Sequence, residues 1–367
     1  MIRIKSPGRI CLFGEHQDYL GYPVIAMSIS KYIYLEAVRN SQSKFIINLP
    51  DVNETLEIPL NNKEVEYTSN RDYIRSGYNI FLRKGIQLNR GYNVDITGDI
   101  PINSGVASSS ALVIAWLFFL NLITGNNLNL FQLAIEGYNT EVKEFKEGGG
   151  IMDHFSSVFG NIIFLEPSLP IPNIINYNLR LDGFVLGNSL EKKTTVEDLI
   201  RVKNLALTAF KELLDIMPHF NPYKTTLSDI NPFLPNLNKE HQIKIIGNII
   251  NRDLTIQAKL LIDKNKQNLI NKKDNKLILE FYHKLGKLLN LHHTQLKDNI
   301  QVSTKKINNM ISNCLNQGAF GGKINGSGFG GTMFVLSPGK EPLIKKIIED
   351  ADGEAYLIKT SRGVTIF

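Results

Sequence analysis

The spacing of apolar and polar positions changes character along this chain, and each change predicts a different element. Up to about residue 100 the apolar residues fall in short β-type runs, among them Val24–Met27, Tyr32–Leu35, Phe45–Ile47 and Val94–Ile96. Such runs between turn residues predict strands. A helix is predicted over Arg71–Lys84. A longer apolar run, Ala111–Leu120, predicts a second helix ending near Thr124-Gly125-Asn126-Asn127. A third covers about Leu130 to Phe145 and stops at Gly148-Gly149-Gly150, and another begins near Ile151. The three prolines between Pro167 and Asn178 mark a domain boundary. Beyond it, Thr195 to Ile270 reads as mostly helical, broken at Asn221-Pro222 and at Pro232–Pro235. One or two helices are predicted between Asp274 and Asn316. Thr332–Leu336 and Ala355–Ile358 read as strands. Strands and helices in both halves predict an α+β protein.

At 367 residues the chain exceeds one compact core, so two domains are expected, divided as 1–175 and 176–367. Cys11 and Cys314 are too few for a disulfide framework or a zinc cluster, which suits a reducing compartment. The N-terminus lacks a signal-peptide apolar run, and Ala111–Leu120 is too short to span a bilayer. A cytosolic protein without membrane contact is expected. The net charge is +6, but the lysines between Lys239 and Lys306 are interspersed with acids and asparagines. No dense basic block with aromatics appears, which argues against nucleic-acid binding. The oligomeric state stays open, with a monomer favoured.

Four segments carry candidate chemistry. Pro101-Ile-Asn-Ser-Gly-Val-Ala-Ser-Ser-Ser-Ala111 runs from a small-residue turn into an apolar helix. It reads either as a serine-capped core helix or as a helix start facing an anion, where unpaired N–H groups and the helix dipole converge. Ser6 to Tyr19 gathers Arg9, Glu15, His16 and Asp18, groups able to take several hydroxyl hydrogen bonds, or simply a strand end and polar turn. In Gly148-Gly-Gly-Ile-Met-Asp-His154, Asp153 either caps a helix or orients or deprotonates a hydroxyl. Gly318 to Gly331 holds seven glycines, more than tight turns require. Gln317 and Ile324 rule out a Walker A loop around Gly322-Lys323. The Gly326-Ser-Gly328-Phe-Gly330 spacing rules out a dinucleotide fingerprint.

Together, in this order, the four segments resemble the GHMP kinases, and within them the galactokinase branch. Gly8-Arg9 to Gly14-Glu-His-Gln-Asp-Tyr19 is close to that branch's G-R-x-x-L-x-G-E-H-x-D-Y signature. Gly150-Ile-Met-Asp153 matches its G-I-M-D element. The glycine segment matches the family's third motif. The resemblance implies two α+β domains with the active site in the interdomain cleft. It implies ATP- and Mg²⁺-dependent phosphorylation of a sugar C1 hydroxyl, with galactose the foremost substrate. Arg9 and Asp153 would be catalytic, and Glu15, His16, Asp18 and Gly150 would hold the sugar. Ser104, Gly105, Val106, Ala107, Ser108, Ser109 and Ser110 would cradle the ATP phosphates, and Ser108 and Glu141 would hold the metal.

The chain departs from the family at several points. Asn103 and Ser104 stand where glycine is usual, Val106-Ala107 where Leu-Ser is common, and His154 where glutamine is usual. A tyrosine expected after Asn188-Ser189 aligns with Ile200. These departures leave open another substrate, such as a uronic acid, N-acetylgalactosamine or mevalonate, or a non-catalytic sugar and ATP sensor.

Overall fold

A computed structural model describes residues 1–101, 104–167, 171–192, 195–271 and 274–367. Asn103, singled out in the phosphate loop, lies outside the described residues.

Strands β1 (Ile2–Phe13) and β2 (Val24–Arg39) are longer than their apolar runs suggest. They pair antiparallel over most of their length, with register shifts between Pro7 and Arg9 and between Cys11 and Phe13. A bulge bends a strand and re-aims the side chain beside it, here Arg9. Then come β3 (Lys44–Leu49), β4 (Glu54–Pro59), α1 (Tyr73–Arg83), β5 (Tyr92–Gly98), α2 (Ser108–Thr124) and α3 (Leu130–Tyr138). The predicted helix over Leu130–Phe145 is not one regular helix. Its second half, Asn139–Lys143, is a π-helical turn. Apolar spacing alone cannot separate that turn from α-helix, and such turns gather at functional sites.

Next are α4 (Met152–Phe159), β6 (Ile162–Glu166) and β7 (Asn173–Asn176). β7 lies inside the proline-bearing stretch read as a domain boundary, and it pairs with β6. The remainder is β8 (Phe184–Asn188), α5 (Thr195–Ile216), α6 (Leu227–Ile230), α7 (Lys239–Asn271), α8 (Asn275–Thr294), α9 (Lys305–Asn316), β9 (Gly321–Asn325), β10 (Thr332–Leu336), α10 (Glu341–Glu349), β11 (Glu354–Ile358) and β12 (Thr365–Ile366).

One sheet has the order β12-β1-β2-β5-β3-β4, with β6 joined to β2 and β7 to β6. Its β3–β5 pair is parallel. The other sheet is antiparallel, in the order β11-β8-β10-β9. β12 carries the C-terminus back to β1.

Helix α2 explains much of the packing. Val113, Ile114, Trp116, Leu117, Phe119 and Leu120 are all buried, so the middle of the helix is covered on most sides. Trp116 and Phe119 meet Phe45 of the first sheet edge-on, and Trp116 Nε1 donates to Ile74 O. This anchors the helix body in the core and leaves its N-terminal end at the junction with β1 and β9. No described helix is long and apolar enough to cross a membrane. Both cysteines are buried free thiols.

Candidate active site

The bulge in β1 turns Arg9 inward. Its Nε and Nη2 each donate to one carboxylate oxygen of Asp153 at 2.7 Å. Its Nη1 donates to Gly105 O at 2.6 Å. Burial opposes the guanidinium charge, but the Asp153 and Glu15 carboxylates outweigh it, and Arg9 is held more firmly protonated than usual. Asp153 lies in the first turn of α4, where the helix dipole favours a carboxylate.

The loop ahead of α2 is pinned by its carbonyls. Ser104 O accepts from Thr332 N and Oγ1, Gly105 O from Arg9 Nη1 and Asn325 Nδ2, and Val106 O from Arg9 N. In a trans peptide the N–H points opposite the C=O. The N–H groups of Gly105, Val106 and Ala107 therefore face away from these anchors. Ala107, the N-cap of α2, has φ of 62° and gives no side-chain cap, so the first-turn N–H groups of Ser108 to Ser110 stay available. Anchored carbonyls, outward N–H groups and a helix N-terminus make an anion cradle.

Gly326 closes the loop from the far side. Its φ is +80°, and a Cβ there would come within 2.5 Å of Gly105 O. Asn325, wholly buried, bonds both Cys11 N and Gly105 O.

The sugar-signature residues converge beside this cradle. Arg9, Glu15, His16, Asp18, Ser110, Glu141, Gly150 and Asp153 line one pocket, joined by Tyr19, Glu147 and Leu199. Ser104 to Ser109, expected to cradle phosphate, precede the lining residue Ser110 without lining the pocket themselves. Asp18 Oδ2 accepts from Met152 N, the start of α4, and Oδ1 from Tyr19 N. Burial, and then the nearby Asp153 charge, push the Asp18 carboxyl up to about 6. Gly150 passes so close that a Cβ would lie 1.8 Å from Asp18 Oδ2. His16 adopts φ of 61°, a costly backbone for a non-glycine residue, and its Nδ1 bonds Tyr19 Oη at 3.2 Å. Leu199 reaches the pocket where the alignment offered Ile200.

Two features were not anticipated. Glu15 is 2% exposed, and both its oxygens are engaged. Oε2 pairs with Lys323 Nζ at 2.5 Å, and Oε1 accepts from Gly326 N at 2.8 Å. Lys323 also donates to Cys11 O and Ile324 O. The one available clue was a lysine within the glycine and apolar run Gly321–Asn325. The second concerns the metal candidates. The hydroxyls that hydrogen-bond Glu141 are those of Ser109 and Ser110, the two residues that follow Ser108, the other expected metal ligand. Burial would raise the Glu141 carboxyl, but hydrogen bonds from His154, Ser109 and Ser110 overcome it and hold it below its usual range. An ionised carboxylate with hydroxyl neighbours at the edge of an anion cradle is a hard-oxygen donor set that fits Mg²⁺.

The family model for the GHMP kinases N terminal domain matches residues 72–161, and that for the GHMP kinases C terminal matches 276–351. The galactokinase galactose-binding signature matches residues 2–39. The chain is 26% identical to a mevalonate kinase of Pyrococcus furiosus, over 98% of this chain and 96% of that one. It is likewise 26% identical to a galactokinase of the same organism, over 98% and 95%. The fold superposes on Lactococcus lactis galactokinase complexed with galactose with a TM-score of 0.83 at 21% identity, covering 99% of this chain and 94% of that one. With its N and C domains and their mixed helices and sheets, the chain belongs to the GHMP kinase family of ATP-dependent kinases.

Proposed function

We propose that the protein transfers the γ-phosphoryl group of ATP to the C1 hydroxyl of a neutral hexose, with galactose the foremost candidate. One observation carries this reading: the residues of the galactose-binding signature line the same pocket as Asp153.

In the proposed reaction the outward N–H groups of the loop and the N-terminus of α2 hold the ATP phosphates. Asp18, His16 and the Gly150 backbone hold sugar hydroxyls and bring C1–OH to Asp153. Asp153 orients that hydroxyl and takes its proton as the new O–P bond forms and the bond from the γ-phosphorus to the bridging oxygen breaks, releasing ADP. Arg9, already between Asp153 and the loop, stabilises charge on the transferring group. Positioning and charge stabilisation are most of what phosphoryl transfer needs. Glu141, with Ser109 and Ser110, would hold Mg²⁺, which when bound neutralises phosphate charge. In this structure Glu15 serves as a tie to Lys323 and Gly326, and it supports the pocket from behind.

Similarity to mevalonate kinases keeps a second reading in view. The charge of the pocket speaks against it. Glu15, Asp18, Glu141, Glu147 and Asp153 line it; Glu15 pairs with Lys323 and Glu147 with Arg71, so Asp18 and Glu141 carry the uncompensated charge, and Arg9 is the only lysine or arginine among the described lining residues. Arg9 is already paired with Asp153. Mevalonate and uronic acids would bring a further carboxylate into this field. A sensor role is disfavoured because Arg9 and Asp153 are both present and paired.

The test is ADP release with galactose, other hexoses, N-acetylgalactosamine, a uronic acid and mevalonate. Turnover of neutral hexoses with galactose foremost is expected. Turnover confined to the acids would overturn the reading.

A further inference from the structure

We propose that His154 is a positioning residue that fixes Glu141 as a one-oxygen ligand, so that the cation site favours Mg²⁺ and Mn²⁺ over Ca²⁺. The inference rests on the kinase reading above.

Glu141 sits on the π-helical turn, and partners from two other elements converge on a single one of its oxygens. Ser110 Oγ, from α2, donates to Oε2 at 2.6 Å, and His154 Nε2, from α4, lies 2.7 Å from the same atom. Neither of these two bonds falls on Oε1, and the Ser109 hydroxyl is a third neighbour of the carboxylate. His154 is 1% exposed. The Tyr138 ring meets it edge-on, with centroids 6.0 Å apart. Gly137 leaves it room, since a Cβ there would lie 3.0 Å from His154 Cδ2.

The position of the imidazole proton follows from its surroundings. Nδ1 is buried and has no hydrogen-bond partner among the described residues. With the proton on Nε2, the ring donates to Glu141 and leaves Nδ1 a bare lone pair. The other neutral tautomer would bury an unpaired N–H and aim a lone pair at a carboxylate oxygen, which is worse on both counts. His154 therefore acts as an N–H donor to Glu141, and a metal-ligand role for Nε2 would cost that bond.

A carboxylate with two donors on one oxygen meets a cation through the other oxygen alone. Mg²⁺ and Mn²⁺ accept such one-oxygen carboxylates in six-coordinate shells. Ca²⁺ is larger and takes more ligands, and it gains from two-oxygen chelation. Holding Oε2 away from the cation removes that gain.

The experiment measures Mn²⁺ binding by electron paramagnetic resonance with a non-hydrolysable ATP analogue. Mg²⁺ and Ca²⁺ serve as competitors against the wild type, His154→Gln and His154→Leu. His154→Leu should weaken Mn²⁺ binding about 10–100-fold, as lost outer-shell partners do, and should narrow the preference for Mg²⁺ over Ca²⁺. His154→Gln keeps an N–H donor and should stay close to the wild type in both readouts. If His154→Leu fails to fold, His154→Asn, whose shorter amide falls short of Glu141, should shift both readouts in the same direction. Unchanged affinity and competition ratio in His154→Leu, or in His154→Asn if that variant must stand in, overturn the proposal while leaving the kinase reading intact. A wild type that binds no Mn²⁺ with the nucleotide overturns both.

Discussion

Arg9 grips Asp153 through two parallel hydrogen bonds of 2.7 Å, joining β1 to the start of α4 across 144 residues. The third arm of the same guanidinium holds the carbonyl of Gly105. One side chain thus ties the proposed base to the proposed phosphate loop before any substrate arrives. Bidentate arginine–carboxylate pairs are geometrically exact as well as strong, which suits a site that works by positioning.

Arg9→Ala and Asp153→Asn should each lower kcat by about 100-fold or more, the scale of a lost transition-state interaction. The apparent KM for ATP should move far less. Steady-state kinetics with the best substrate of the panel checks this, and unchanged kcat in both variants would remove the pair from the mechanism.

The buried Glu15–Lys323 pair predicts an effect on stability. Lys323→Met leaves an unpaired buried carboxylate, and Glu15→Gln an unpaired buried ammonium. Each should cost about 3–5 kcal/mol in denaturant unfolding. The double variant should recover much of that loss, because neither charge is then stranded. Additive losses would show that the two residues act independently.

Asp18 predicts a trade between stability and function that depends on pH. Its carboxyl is raised from 3.8 to about 6 in the folded protein, chiefly by burial. The folded state therefore binds this proton more tightly than the unfolded chain does. The destabilisation is full above about pH 6, shrinks as pH falls through 6, and is gone below about pH 4. Asp18→Asn should raise stability at pH 7.5 by about 1–2 kcal/mol, allowing for partial solvent access. The gain should vanish near pH 4, while sugar turnover is lost. Thermal melts across this range, paired with activity, measure both.

Gly150→Ala places a methyl group where Asp18 Oδ2 now sits. Asp18 or the start of α4 must shift. The sugar kcat/KM should fall about 100-fold, the usual result of a displacement near 1 Å. Affinity for the nucleotide, measured by calorimetry, should change little.

Much of the site was legible because its motifs are local. Small residues ahead of Ala111 announced a helix start with room for an anion, and Gly150-Ile-Met-Asp153 announced itself as a short motif. What escaped was long-range or geometric. Nothing near Glu15 in sequence points to Lys323, 308 residues away. Ser108, Ser109 and Ser110 are equivalent on paper, and only the helix phase decides which of them face Glu141. The π turn at Asn139–Lys143 keeps the apolar spacing of an α-helix, so its extra residue was invisible. Ile174 and Ile175 lie among prolines, yet they pair with Leu165 and Phe164 because the open edge of β6 supplies the partners.

The central claim is phosphoryl transfer to the anomeric hydroxyl of a neutral hexose, and nuclear magnetic resonance of the product tests it most directly. Galactose labelled with ¹³C at C1 is incubated with ATP, Mg²⁺ and the protein. The account predicts a C1 resonance newly split by phosphorus and growing in step with ADP. An uncoupled C1 signal with galactose untouched, while mevalonate is phosphorylated under the same conditions, would contradict it.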